Sequence, residues 1–66
     1  MLTERQLQIL NLKAIGMTNK EVGQTLGITQ STVKCQNHRT LKRLGCRNEA
    51  HAVYKAVSLG LIVGIK

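Results

Sequence analysis

The sequence predicts an all-α fold of four short helices, and three observations carry that expectation. No segment alternates apolar and polar residues cleanly enough to read as a half-buried strand. Gly16, Gly27, Gly45 and Gly60 each follow a stretch of good helix formers, where a helix stop belongs. Short polar residues stand just ahead of the same stretches, at the places where N-caps are needed.

The first helix is expected over 4–15. Thr3 caps it, Gln6 holds the reciprocal capping-box position and Gly16 ends it. Thr18 or Asn19 opens a shorter helix over 20–26, which Gly27 closes. Thr29 opens a third over 30–44, stopped by Gly45, and Asn48 opens a fourth over 49–59, stopped by Gly60. Only Gly27-Ile28-Thr29 separates the second helix from the third. A short helix joined to a longer one by a three-residue turn containing glycine is the helix-turn-helix pattern, here about 19–38. Val22, Leu26, Ile28 and Val33 are spaced to bury together in the angle between the two helices. Gly23 sits where they approach closely, although glycine there costs up to about 1 kcal/mol relative to alanine.

A chain of 66 residues supports one domain, 1–66. At this size about 60% of the unfolded chain's surface is buried, so little stability is to spare. Hydrophobic residues make up 42%, yet Phe and Trp are absent and Tyr54 is the one aromatic. The core is therefore expected to use Leu, Ile, Val and Ala. Ten Lys and Arg against three acids give a net charge of +7, a field that attracts polyanions. Cys35 and Cys46 make no dense disulfide framework. The N-terminus opens into polar sequence without a signal peptide, and the apolar run over 59–65 is too short to span a bilayer. An intracellular, soluble protein with no membrane partner is expected.

On a helical wheel, Val33, Asn37, Thr40, Leu41 and Leu44 of the third helix gather on the side expected to face the core. Ser31, Lys34, Cys35, His38, Arg39 and Lys42 gather on the other, which holds cations and hydrogen-bonding groups and no acid. An ordinary wet helix face would be expected to mix in some acid. A major groove wants this set, because Arg and Lys read guanine edges and pair with phosphates. The fourth helix carries two apolar stripes. Ala52, Val53, Ala56, Leu59 and Gly60 suit the core, while Ala50, Tyr54, Val57 and Leu61 form a second stripe expected to make a two-fold dimer contact.

Other functions fit less well. A protein-interaction module acting on RNA polymerase or another regulator would use the second stripe of the fourth helix. Cys35, His38, Cys46 and His51 superficially offer four zinc ligands, but they lie on different helices and faces, so no metal or cofactor is expected. Paired carboxylates, a phosphate loop and a nucleophile constellation are all absent, so no enzyme is expected. RNA binding is disfavoured by the lack of aromatics for stacking.

The ordered segments Leu2-Thr3-Glu4-Arg5, Ile9-Leu10, Gly16-Met17-Thr18-Asn19-Lys20-Glu21-Val22, Leu26-Gly27-Ile28-Thr29, Ser31-Thr32-Val33-Lys34, Lys42-Arg43-Leu44-Gly45, Arg47-Asn48, Ala52-Val53 and Gly60-Leu61-Ile62 resemble the LuxR/GerE-type DNA-binding domain. The resemblance runs from Leu2 to Ile62. It implies a bacterial, cytoplasmic transcription regulator that is nucleoid-associated when bound. Its third helix would enter the major groove of double-stranded DNA, and its fourth would pair two copies as a homodimer. It also implies that Thr32 and Lys34 contact backbone or bases, that Cys35, His38 and Arg39 occupy variable reading positions, and that Asn19 and Lys20 touch phosphate. Several residues depart from the family pattern. Gln6, Gln8 and Gln30 stand where acids are frequent, Gly23 where Ala is common, Gln36 where His is frequent and Lys13 where an apolar residue is common. Relatives usually carry an N-terminal receiver or ligand-binding domain. Met1 directly before the motif fits either a domain separated from a longer regulator or a free-standing regulator.

Overall fold

The computed structural model describes residues 2–62. Four helices run in the order α1 (Glu4–Ala14), α2 (Asn19–Leu26), α3 (Gln30–Leu44) and α4 (Glu49–Ser58), with no strand among the described residues. Three boundaries shift by one residue from expectation. α1 stops at Ala14, α2 begins at Asn19 because Thr18 is the cap, and α4 stops at Ser58. Val63, Gly64 and Ile65, the end of the apolar run, lie outside the described residues.

Each helix begins on the side chain expected to cap it. The hydroxyls of Thr3, Thr18 and Thr29 accept from the amides of Gln6, Glu21 and Thr32, and the Asn48 carboxamide oxygen accepts from the His51 amide. Gln6 completes the box on α1 by accepting from the Thr3 amide at 3.0 Å. Glu21 does the same for α2, accepting from the Thr18 amide at 2.9 Å. That second box was not anticipated, although Thr18-x-x-Glu21 carries its signature.

All four helices end the same way. The amides of Met17, Ile28, Cys46 and Leu61 donate to the carbonyls of Leu12, Gly23, Leu41 and Ala56, five residues back. This is the wide bond of the Schellman motif, and it needs a left-handed residue just before the donor. Gly16, Gly27, Gly45 and Gly60 supply it, with φ from +66° to +99°. The residue after each glycine is apolar and folds back onto the core: Met17 and Ile28 onto one cluster, Cys46 and Leu61 onto the other.

The core has two parts. Ile9, Val22 and Val33 fill the angle between α1, α2 and α3, with Leu26 and Ile28 packed against them as expected. Leu2, Leu10, Leu44, Ala52 and Ala56 join α1, α3 and α4. The buried residues of α4 are small, Ala52 and Ala56, which suits a core without large aromatics. Gly23 is buried in the α2–α3 corner. A Cβ there would lie 2.7 Å from the Ile28 carbonyl oxygen, so the turn as built leaves no space for a side chain.

The capping turn of α4 corrects the expectation for the end of the chain. Extending one helical wheel through both puts Leu59 on the core stripe and Leu61 on the dimer stripe. The wheel ends at Ser58, and Gly60 at φ +73° reverses the path. Leu59 is consequently 60% exposed, while Leu61 packs against the core.

Candidate nucleic-acid interface

The helix-turn-helix places α3 so that one side is sealed and the other open. Val33, Thr40 and Leu44 are buried, and Leu41 and Asn37 are half-buried. Thr40 hides its hydroxyl by donating to the Gln36 carbonyl, and Gln36 also accepts from the buried Gln6 carboxamide at 3.2 Å. Gln6 thus serves two elements at once, the cap of α1 and the α1–α3 contact. The structure brings Gln6 and Gln36, two of the departures noted in sequence, together as a pair.

The open side carries every α3 residue expected to face DNA. Ser31, Thr32, Lys34, Cys35, His38, Arg39 and Lys42 are all exposed. Thr32 is partly engaged, since its hydroxyl lies 2.9 Å from that of Thr29. At the start of α2, Lys20 is exposed, while Asn19 is half-buried and accepts from the Asn37 carboxamide at 3.4 Å. Asn37, read from the wheel as a core-facing residue, instead links α3 to α2.

Acid placement sharpens the electrostatics. The chain's three acids, Glu4, Glu21 and Glu49, sit in the first turns of α1, α2 and α4, where a carboxylate meets the positive end of a helix. α3 has no acid in its first turn or anywhere along its length. Its N-terminus and exposed face therefore keep their positive potential for an external anion. Glu21 is tied down. The Thr18 backbone amide and then the Thr18 hydroxyl hold its carboxyl below the usual carboxylate range.

Sequence reasoning missed three cation contacts. Lys13 lies 3.4 Å from Glu49, an ion pair between α1 and α4 that explains the charged residue at a place where the family pattern is apolar. Lys55 donates to the Leu44 carbonyl at 2.7 Å and Arg5 to the Leu26 carbonyl at 3.5 Å, each satisfying a helix C-terminus. Opposite charge was the one available signal for the first pair, and nothing local pointed to the other two. Among the described residues, no three His, Cys, Asp or Glu side chains converge as a metal site would require. No described helix is long and apolar enough to cross a membrane.

A helix-turn-helix with a cationic, acid-free outer face on its second member defines a DNA-binding domain of the transcription-regulator class. Comparison with known proteins resolves the class further. The family described as bacterial regulatory proteins, luxR family, matches residues 1–56. The transcriptional activator protein CarR of Pectobacterium carotovorum subsp. carotovorum is 38% identical over 61 residues, covering 92% of this chain and 25% of its own length. An uncharacterized transcriptional regulatory protein of Bacillus subtilis, YxjL, is 32% identical over 60 residues, covering 91% of this chain and 28% of its own. The solved structure of the transcription factor GerE superposes with a TM-score of 0.90 at 26% identity, covering 92% of this chain and 91% of that one. The chain belongs to the LuxR family of bacterial regulatory proteins and has the four-helix fold of its DNA-binding domain. It spans about a quarter of the length of the two curated relatives named here.

Proposed function

We propose that residues 1–66 form one helix-turn-helix domain that reads duplex DNA sequence-specifically as a two-fold dimer and so regulates transcription in the bacterial cytoplasm. α3 enters the major groove. Ser31, Thr32, Lys34, Cys35, His38, Arg39 and Lys42 face the DNA, and Asn19 and Lys20 flank them at phosphates. The observation that carries this reading is the exposed face of α3, cationic along its length in a chain whose acids all lie elsewhere. Arg39 and Lys34 are the guanine readers, and a good bidentate pair of this kind discriminates by about 1–3 kcal/mol. The dimer contact uses Ala50, Tyr54 and Val57 of α4, all exposed on one stripe.

Selection from random duplex DNA at near-physiological salt tests the reading. Enrichment of an inverted repeat, with half-sites about one helical turn apart, is the expected outcome. If each copy neutralises about four phosphates, log K falls against log salt with a slope near −3.6 per copy.

The apolar stripe on α4 favours one other reading, a surface for RNA polymerase or another regulator, because Tyr54 is 72% exposed without an apolar cover. No enrichment in the selection, with binding that vanishes as salt rises, would transfer the assignment to that surface.

A further inference from the structure

One residue from each helix joins a single polar chain across the domain. Lys13 of α1 lies 3.4 Å from one carboxylate oxygen of Glu49 on α4. The Asn37 carboxamide nitrogen, on α3, donates at 3.4 Å to the other Glu49 oxygen. The same nitrogen donates at 3.4 Å to the Asn19 carboxamide oxygen at the start of α2. A carboxamide NH2 has two hydrogens, so both bonds can form together.

The chain has a direction. A carboxylate accepts and does not donate, so the Asn37 atom facing Glu49 must be nitrogen. That nitrogen also faces Asn19, so the Asn19 atom turned toward it must be oxygen. The Asn19 nitrogen is left as the donor, with no partner among the described residues. It sits in the first turn of α2 beside the exposed Lys20. Were the Asn19 carboxamide turned over, it would present an acceptor to a phosphate, and acceptors repel each other. Lys13 neutralises Glu49 from the far side, so the acid sets the polarity without adding net negative charge near the DNA. The Lys13 side chain is largely enclosed, at 11% exposed, while the Glu49 side chain keeps 42% of its surface open to solvent.

We infer that Lys13, Glu49 and Asn37 are positioning residues for DNA binding: they orient the Asn19 carboxamide so that its NH2 group meets a backbone phosphate. The inference rests on the duplex-DNA reading above and deepens it at one contact. Because the contact is to phosphate, it is independent of sequence and can be read on a duplex of mixed sequence.

The test is a double-mutant cycle on a fluorescein-labelled mixed-sequence duplex at low salt, with thermal melts of every variant. Glu49→Gln keeps the shape but lets either carboxamide atom face Asn37, and it should weaken binding about threefold to tenfold, the worth of one well-placed hydrogen bond. Asn19→Ala should weaken binding by the same factor, and the double variant should be no weaker than either single. Lys13→Met, which leaves Glu49 in place without its counter-charge, should show a smaller loss that again disappears in the Asn19→Ala background. It keeps the test open should Glu49→Gln fail to fold. Losses that multiply in the double variants, or that track melting temperature alone, would show a purely structural network and overturn the inference. Wild-type protein that binds no duplex at low salt would overturn the DNA reading itself and this inference with it.

Discussion

α3 and α4 contribute to the same core but present opposite faces to solvent. Inward, α3 gives Val33, Thr40 and Leu44, and α4 gives Ala52 and Ala56. Outward, α3 shows Lys34, His38, Arg39 and Lys42, whereas α4 shows Ala50, Tyr54 and Val57. Folding depends chiefly on the inward sets, since exposed substitutions away from caps and cavities usually change stability by no more than about 0.5 kcal/mol. The outward sets are thus free to answer to partners. A wet cationic face suits a polyanion, which supplies counter-charge without demanding dehydration of a core. An apolar face with one aromatic suits a partner that excludes water, and a second copy of the same stripe does so by symmetry.

The largest effect should come from inverting charge on the α3 face. Arg39→Glu places an acid where the phosphates approach, and DNA affinity should fall on the order of a hundredfold or more, since like-charge juxtaposition costs several kcal/mol. The melting temperature should stay near that of wild type. Fluorescence anisotropy beside a thermal melt checks both halves, and a parallel fall in stability would show that the face serves the fold as well.

Truncating the α4 face should have an intermediate effect of a different kind. Tyr54→Ala should weaken self-association by about 2 kcal/mol, as loss of an aromatic anchor does. Affinity for a duplex carrying one half-site should not change. Sedimentation and half-site titration separate the two, and an equal loss on the half-site would place Tyr54 against DNA instead.

The smallest effect should separate the helix starts. Glu21 accepts from the Thr18 amide, so its carboxyl titrates below the usual carboxylate range when the chain is folded. A carboxyl lowered on folding stabilises the fold above its unfolded titration range, and that contribution is lost as pH falls through the folded one. The cap of α2 should therefore loosen on acidification. The Thr29–Thr32 cap of α3, built from two hydroxyls and an amide, has no group that titrates there. In proton–nitrogen correlation spectra, the Thr18 and Glu21 amides should shift with acid before those of Thr29 and Thr32. Simultaneous movement of all four would indicate global unfolding.

Much of this architecture was legible because its signals are local. A hydroxyl that must accept from an amide three residues ahead is a statement about neighbours, and Thr3, Thr29 and Asn48 all behave accordingly. The exposed face of α3 was equally legible, since one helix of 15 residues keeps its periodicity throughout. Periodicity failed where the helix did. Leu59, expected in the core, is exposed and Leu61 packs against the core, because Gly60 turns the backbone left-handed and the wide capping bond from Leu61 to Ala56 draws the later leucine inward. Glycine followed by an apolar residue recurs at all four helix ends, so that reversal was open to a reading that weighed the cap above the wheel.

Local chemistry settled the number of helices, their caps and stops, the aliphatic character of the core and the acid-free outer face of α3. Those features depend on residues within a few positions of one another, where covalent geometry keeps the partners in reach. Tertiary packing alone decided that Lys13 meets Glu49, that Asn37 turns from the core toward Asn19 and Glu49, and that Gln6 reaches Gln36. These partners stand far apart in the chain. Their side chains meet because the packed helices bring distant stretches of chain together, and enclosed polar atoms then take whatever partner the packing leaves within reach.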